Sequence, residues 1–89
     1  MILGKVVGTV WATRKDEKLT GMKFLLVKHV DLDYKLKDAF VVAVDTVQAG
    51  TGDVVLVTSG SSARQTPVTN NRPVDAVIVA VVDKLDVAE

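Results

Sequence analysis

The sequence contains no cysteine, so neither a disulfide nor a thiolate metal site can supplement its core. Aromatic residues make up only 4% of the chain, which leaves few stacking platforms for single-stranded nucleic acid. The 11 basic and 11 acidic residues cancel, and a chain without a basic surplus is a poor partner for nucleic acid or an anionic membrane. No apolar run is long enough to span a bilayer, and the N-terminal MILGKVVGTVW lacks the pattern of a secretory leader. These absences predict a soluble, cytoplasmic chain with no nucleic-acid and no membrane partner.

Valine is the residue that the sequence has in excess. It accounts for 19 of the 89 residues, within a hydrophobic content of 48%. Because valine is stiff at χ1 and packs well on a pleated sheet, this excess favours a mainly β fold. A chain of this length forms only a small core. We therefore predict a single domain, residues 1–89, that buries part of its apolar surface against copies of itself.

Turn-forming residues divide the chain into five predicted strands, at residues 2–12, 22–30, 40–48, 54–58 and 74–87. Gly4 and Gly8 share one face of the first strand, and glycines inside a strand indicate a bend, a bulge or a close backbone approach. The composition of residues 68–73, VTNNRP, predicts a mobile loop. Short strands with a single helical segment, at Ser61–Gln65, favour a small barrel or a sandwich.

The segment VLVTSGSSARQT, residues 55–66, leads from a strand into glycine and serine, the order that nucleotide-binding proteins use around phosphate. No lysine stands where a phosphate-binding loop needs one, and the second and third glycines of a dinucleotide fingerprint are missing. A structural N-cap of a short helix therefore explains the segment better than a nucleotide site. The start of the helix would still attract an anion weakly.

The titratable residues do not form a catalytic or metal-binding set. His29 is the single histidine, so a multi-histidine zinc site cannot form, and it has no evident triad partner. Asp31 and Asp33 lack the glycine and the distal glutamate of a calcium loop, so a solvated turn explains them better. Asp45 lies in an apolar strand and needs a partner, and Arg64 is a candidate for a structural ion pair with it. We therefore predict no catalytic residue, no cofactor and no bound metal.

Long segments of the chain resemble a known family. Residues 42–65, VAVDTVQAGTGDVVLVTSGSSARQ, are similar to the signature of the EutN/CcmL family, the pentameric vertex proteins of bacterial microcompartment shells. Residues 72–83, RPVDAVIVAVVD, resemble the closing strand of that family, and residues 5–31 are similar to its opening hairpin. Gln48 stands where many relatives have glycine, and Asp53 stands where glutamate is frequent. These two departures leave the geometry of the intervening turn open.

The resemblance implies a small OB-like β-barrel with one short helix, assembled as a cyclic homopentamer. Such rings cap the five-fold vertices of a polyhedral shell in the cytoplasm, together with hexameric or pseudohexameric shell proteins, and they are structural proteins rather than enzymes. The residues then expected at the junction between neighbouring subunits, near the five-fold axis, are Gly60, Ser61, Ser62, Ala63 and Arg64. There Arg64 would pair with Asp45 or with a carboxylate of the neighbour.

An OB-fold module that binds nucleic acid or a small ligand is the alternative that a barrel topology alone permits, because a fold does not determine a function. The zero net charge and the scarcity of aromatic residues weigh against this alternative.

Overall fold

The computed structural model describes residues 1–88, which form a closed barrel of five strands. The strands are β1 Ile2–Val10, β2 Phe24–Val30, β3 Leu36–Asp45, β4 Val54–Ser59 and β5 Ala76–Val81. A 3-10 helix at Glu17–Leu19 precedes β2, and a second one at Gly60–Arg64 follows β4. The order around the barrel is β1-β2-β3-β5-β4, with β1 also paired to β4. The predicted OB-like β-barrel is confirmed, and no helix within residues 1–88 has the length and apolarity to cross a membrane.

Several strand boundaries differ from the prediction by one to three residues, and two differ by more. The third strand begins at Leu36 rather than at residue 40, because Leu36 continues the pairing with Val30 of β2 although its own segment is polar. The last strand ends at Val81 rather than at residue 87. Its partner β4 supplies the pairs only as far as Val55 with Val81, and the backbone N–H of Val82 makes the last hydrogen bond, to Val54, at 2.7 Å.

Irregular pairing closes this small barrel. Register shifts occur in β1 between Val6 and Gly8, in β3 between Leu36 and Phe40 opposite Lys28 and Val30 of β2, and in the β4–β5 pair. Bulges of this kind bend a strand and increase its twist, which a five-stranded barrel requires. Antiparallel pairs join all neighbouring strands except β3 and β5. These two strands are parallel and pair at only two positions, Val44 with Val77 and Asp45 with Ile78.

The apolar residues form two clusters, one inside the barrel and one against its outer wall. The buried residues of the interior cluster are Val6, Leu25, Val27, Ala43, Ala49, Val55, Val57, Ala76 and Ile78. In the outer cluster, the buried residues are Val44, Ala63, Val74 and Val77, and half-buried Leu19, Met22, Phe24 and Val79 pack against them. The helix at Gly60–Arg64 and the connection that follows it therefore cover one part of the outer wall.

Gly4 lies on β1 opposite His29 of β2, at a position with no room for a side chain. A Cβ atom at this position would overlap Cγ1 of Val27 and would stand 2.8 Å from the carbonyl oxygen of Lys28. At Gly8 the nearest atoms to such a Cβ are 4.0 Å away, on Leu26, which is ordinary contact. The two glycines therefore differ. Gly4 lies where Val27 and Lys28 leave no space for a side chain, whereas Gly8 lies next to the register shift and has space for one.

Replacing Gly4 with alanine is expected to lower the free energy of unfolding by about 1–3 kcal/mol, because the added methyl group overlaps backbone that cannot move aside. Gly8→Ala is the matched control and is expected to stabilise the chain by about 0.5 kcal/mol, because alanine restricts the unfolded chain more than glycine does. Urea unfolding at one fixed protein concentration measures both changes. Equal effects of the two substitutions would show that the Gly4 contact does not limit packing.

The turn from β3 to β4 contains Gln48 in the left-handed backbone region, at φ +58°. The carboxylate of Asp53 accepts a hydrogen bond from the backbone N–H of Gly50 at 2.9 Å and fixes the second half of this turn. The backbone conformation at residue 48 is one that glycine adopts without strain and that glutamine adopts at a cost of about 1–2 kcal/mol. The departure from the family pattern at this position therefore leaves the turn intact but strains it.

Gln48→Gly is expected to raise the free energy of unfolding by about 0.5–1 kcal/mol, since the strain relieved exceeds the added entropy of the unfolded chain. Gln48→Ala keeps the Cβ atom and is expected to change stability by less than about 0.5 kcal/mol. Thermal unfolding of the unchanged chain and the two variants at matched concentration gives the order of their stabilities. A destabilised Gln48→Gly variant would contradict the assigned strain, since Gln48 is exposed and its side chain packs little.

Candidate functional site

Gly60–Arg64 forms a 3-10 helix that is anchored by its backbone. It is the last part of the segment that resembles the family signature. The N–H of Gly60 donates to the carbonyl oxygen of Asp75 at 2.8 Å, and Gly60 has φ +66°, which glycine adopts readily. Ser59 occupies the N-cap position, but its side chain makes no capping hydrogen bond. The predicted side-chain N-cap is therefore wrong, and a backbone contact with Asp75, directly before β5, takes its place.

Two threonines hold this helix from the other side. The hydroxyl of Thr69 contacts the carbonyl oxygen of Ala63 at 2.5 Å and the hydroxyl of Thr66 at 2.7 Å. Thr69 and Ala63 are both fully buried. Composition predicts a mobile loop at residues 68–73, but the burial of Thr69 anchors that segment to the barrel. The signal in the sequence is the spacing of Thr66 and Thr69 around a proline, which favours hydroxyl-stabilised turns.

The exposed side of the helix borders a polar groove of about 580 Å3. Its lining consists of cationic, amide and hydroxyl side chains with one carboxylate and one proline, from Asp16, Lys18, Ser61, Arg64, Gln65, Asn70, Asn71, Arg72 and Pro73. The Arg64 guanidinium donates to the carbonyl oxygen of Val74 at 3.2 Å, and the Arg72 guanidinium donates to that of Lys18 at 3.0 Å. These contacts orient two arginines along a surface rich in hydrogen-bond donors.

Asp45 and Arg64 do not form the expected ion pair within the chain. One carboxylate oxygen of Asp45 accepts hydrogen bonds from the backbone N–H groups of Val47 at 3.0 Å and Ala49 at 3.2 Å, which fixes the start of the β3–β4 turn. In the part of the chain that the structure describes, the one ion pair joins Lys84 and Asp86, both exposed. A contact between Arg64 and a carboxylate of a neighbouring subunit stays a prediction.

The remaining titratable residues lie in separate places. His29 is half-buried on β2, opposite Gly4. The carboxylate of Asp31 accepts from the backbone N–H groups of Lys35 at 3.0 Å and Asp33 at 2.8 Å, and these bonds lower the pKa of that carboxyl. This is the solvated turn that the sequence favours. Residues 1–88 bring no three His, Cys, Asp or Glu side chains together in a group that could hold a metal ion.

Sequence reasoning did not identify a strip of exposed apolar side chains on β3. We define the outer strip as Leu36, Phe40 and Val42, which are 51%, 62% and 41% exposed. Phe40 and Val42 share the parity of Val44, so they lie on its outward side of the strand. Leu36 lies beyond the irregular pairing between Leu36 and Phe40 and extends the exposed apolar surface along β3. The even spacing of Phe40 and Val42 indicates a shared face, but it does not show that this face stays uncovered. The composition of residues 31–38, DLDYKLKD, predicts a polar segment that crosses the surface, so Leu36 is not expected to belong to a strand. A groove of about 200 Å3 next to Val42, bordered by Phe24 and Val74, connects the strip to the outer cluster.

Comparison with known proteins gives consistent results. The family model described as "Ethanolamine utilisation protein EutN/carboxysome" matches residues 1–83. The bacterial microcompartment shell vertex protein GrpN of Rhodospirillum rubrum is 43% identical over 86 residues, covering 97% of each chain. The carboxysome shell vertex protein CcmL of Synechocystis sp. is 43% identical over 88 residues, which cover 99% of this chain and 88% of that one.

Solved structures agree with these sequence matches. The structure described as the GrpN pentameric microcompartment shell protein from Rhodospirillum rubrum superposes with a TM-score of 0.88 at 40% identity and covers both chains completely, at 100%. The family match, the near-complete alignment to these relatives and the shared barrel lead to one assignment: the chain belongs to the EutN/CcmL family.

Proposed function

We propose that this chain is a structural protein that assembles as a homopentamer and occupies the five-fold vertices of a bacterial microcompartment shell. The observation that carries the proposal is the full-length likeness to a relative whose solved structure is pentameric, at 40% identity. Relatives of nearly equal length are named as shell vertex proteins. The whole chain, residues 1–89, would act as one domain in the cytoplasm, within the shell, and would catalyse no reaction.

The vertex function follows from geometry. Flat tiles of six-fold symmetry extend a sheet without closing it, and a closed polyhedron needs corners of five-fold symmetry. A rigid ring of five chains supplies such a corner, and hexameric or pseudohexameric shell proteins would be its neighbours. The closed barrel, with interior residues at or near zero exposure, is stiff enough to keep the shape of the ring constant.

The exposed residues of the Gly60–Arg64 segment would contact the next subunit. Ser61, Ser62 and Arg64 are exposed, while Ala63 fixes the segment to the outer cluster. Small side chains allow close approach of a second backbone, and the guanidinium of Arg64 can donate further hydrogen bonds to a carboxylate or a carbonyl group of the neighbour. Rings close through heterologous contacts, in which this surface meets a different surface on the adjacent copy.

The purified chain is expected to form a particle of ~48 kDa, five times the 9.5 kDa mass of the chain. Native mass spectrometry across a dilution series measures this mass directly. Monomers at every concentration would contradict the proposal. Monomers that also retain a single-stranded oligonucleotide on a filter at low salt would favour the OB-fold binding module instead.

Arg64→Ala is expected to weaken the ring, so that pentamers dissociate at a protein concentration that leaves the unchanged chain assembled. The fold should persist because Arg64 is exposed, and its one hydrogen bond within the chain contributes about 1 kcal/mol. Arg14→Ala is the matched control, since Arg14 is exposed in the β1–β2 connection away from the groove. Circular dichroism checks folding and native mass spectrometry counts subunits. If the Arg64→Ala pentamer is as stable as the control, Arg64 does not contribute to the contact between neighbouring subunits.

A further inference from the structure

The outer wall of the barrel is covered at one end and bare at the other. At the covered end, Val44 is 2% exposed because Ala63 and Val74 pack over it. Two residues earlier on the same face, Val42 is 41% exposed, and Phe40 is 62% exposed. The residues that shield Val44 therefore stop short of the outer strip, and nothing else in residues 1–88 replaces them there.

The same part of β3 also has an open backbone edge. On one side β3 pairs with β2 from Leu36 to Val44, whereas on the other side β5 reaches only Val44 and Asp45. Residues 39–43, AFVVA, carry no charged side chain. Natural proteins protect exposed strand edges with charges, prolines or covering segments, and an unprotected edge is a template for pairing. The strip and the edge thus expose apolar side chains and backbone hydrogen-bonding groups at one place.

We propose that the outer strip and the adjoining edge of β3 form the surface that receives the neighbouring copy of this chain in the ring. This inference rests on the proposed pentamer and identifies one of its two contacting surfaces. Aromatic and aliphatic side chains at the centre of a surface are typical of stable interfaces. Each strip would contact a different surface of the adjacent chain, as a closed ring requires.

The charges around the strip favour a second copy over a nucleic acid. Lys28 stands opposite Phe40 in the sheet, and Lys37 and Asp38 lie between Leu36 and Phe40. Two lysines offset in part by an aspartate do not form the dense basic surface that a phosphate backbone needs. A neighbouring copy has a net charge of zero and therefore does not need a basic surface to bind.

The absence of native cysteine allows the strip to be tested with single thiols. In Phe40→Cys and, separately, Val42→Cys, the thiol is expected to react with a maleimide at least about tenfold more slowly in the assembled protein than in denaturant, because the neighbour covers it. Val87→Cys is the control and should react rapidly in both states. Val87 is 53% exposed, follows the last strand and lies beyond the residues that the family model matches.

The outcomes separate this inference from the proposed function. If the unchanged chain is monomeric, the proposal that it forms a pentamer is wrong. If pentamers form and the thiols at positions 40 and 42 react as fast as the thiol at 87, the pentamer stands and the strip is not its contact surface. Slow labelling in intact pentamers supports the inference. So does the appearance of folded monomers in Phe40→Asp while Val87→Asp stays assembled, with circular dichroism establishing that the fold is retained.

Discussion

Closure of only five strands sets the width of the barrel interior, and the rest of the structure depends on that width. At Gly4 even one added methyl group would overlap Cγ1 of Val27 and crowd the carbonyl oxygen of Lys28. A barrel this narrow holds only a small set of aliphatic side chains. The chain has many more valines than that interior accepts, so the others lie on the outer wall, where only part of them is covered. The narrow interior thus explains why the isolated chain exposes apolar surface.

The alternation of apolar residues and the placement of glycines were enough to predict five strands in a small barrel or a sandwich, and the family resemblance selected the barrel. These patterns did not predict the start of β3 or the end of β5, because they do not determine which residues of two neighbouring strands pair. Residues 36–39 belong to β3, but this part of the strand is exposed on both faces, so its sequence lacks the alternation of a half-buried strand. The end of β5 depends on where its antiparallel partner β4 begins, at Val54, which is a property of the partner strand rather than of residues 82–87. Long-range pairing therefore decided both differences.

The candidate site was predictable to a different extent in each of its parts. Resemblance to the family identified Gly60–Arg64, but the contacts that hold this segment come from Asp75 and Thr69, which no local pattern connects to it. The exposure of Phe40 and Val42 was beyond sequence reasoning for a related reason. Val42 and Val44 have the same side chain on the same face, and only the position of a later loop, at Val74, makes one exposed and the other buried.

The uncharged edge of β3 has a consequence for the chain before it meets any partner. In a single copy, residues 39–43 are not paired with β5, and an uncharged edge of this kind is a template on which an extended peptide could pair. Charged residues flank that stretch, at Lys37, Asp38 and Asp45, but none lies within it, so in the proposed ring the neighbouring copy would be what covers the edge. Overproduction at a slow assembly rate would lengthen the time before the edge is covered, and losses to aggregates during synthesis would then grow with it.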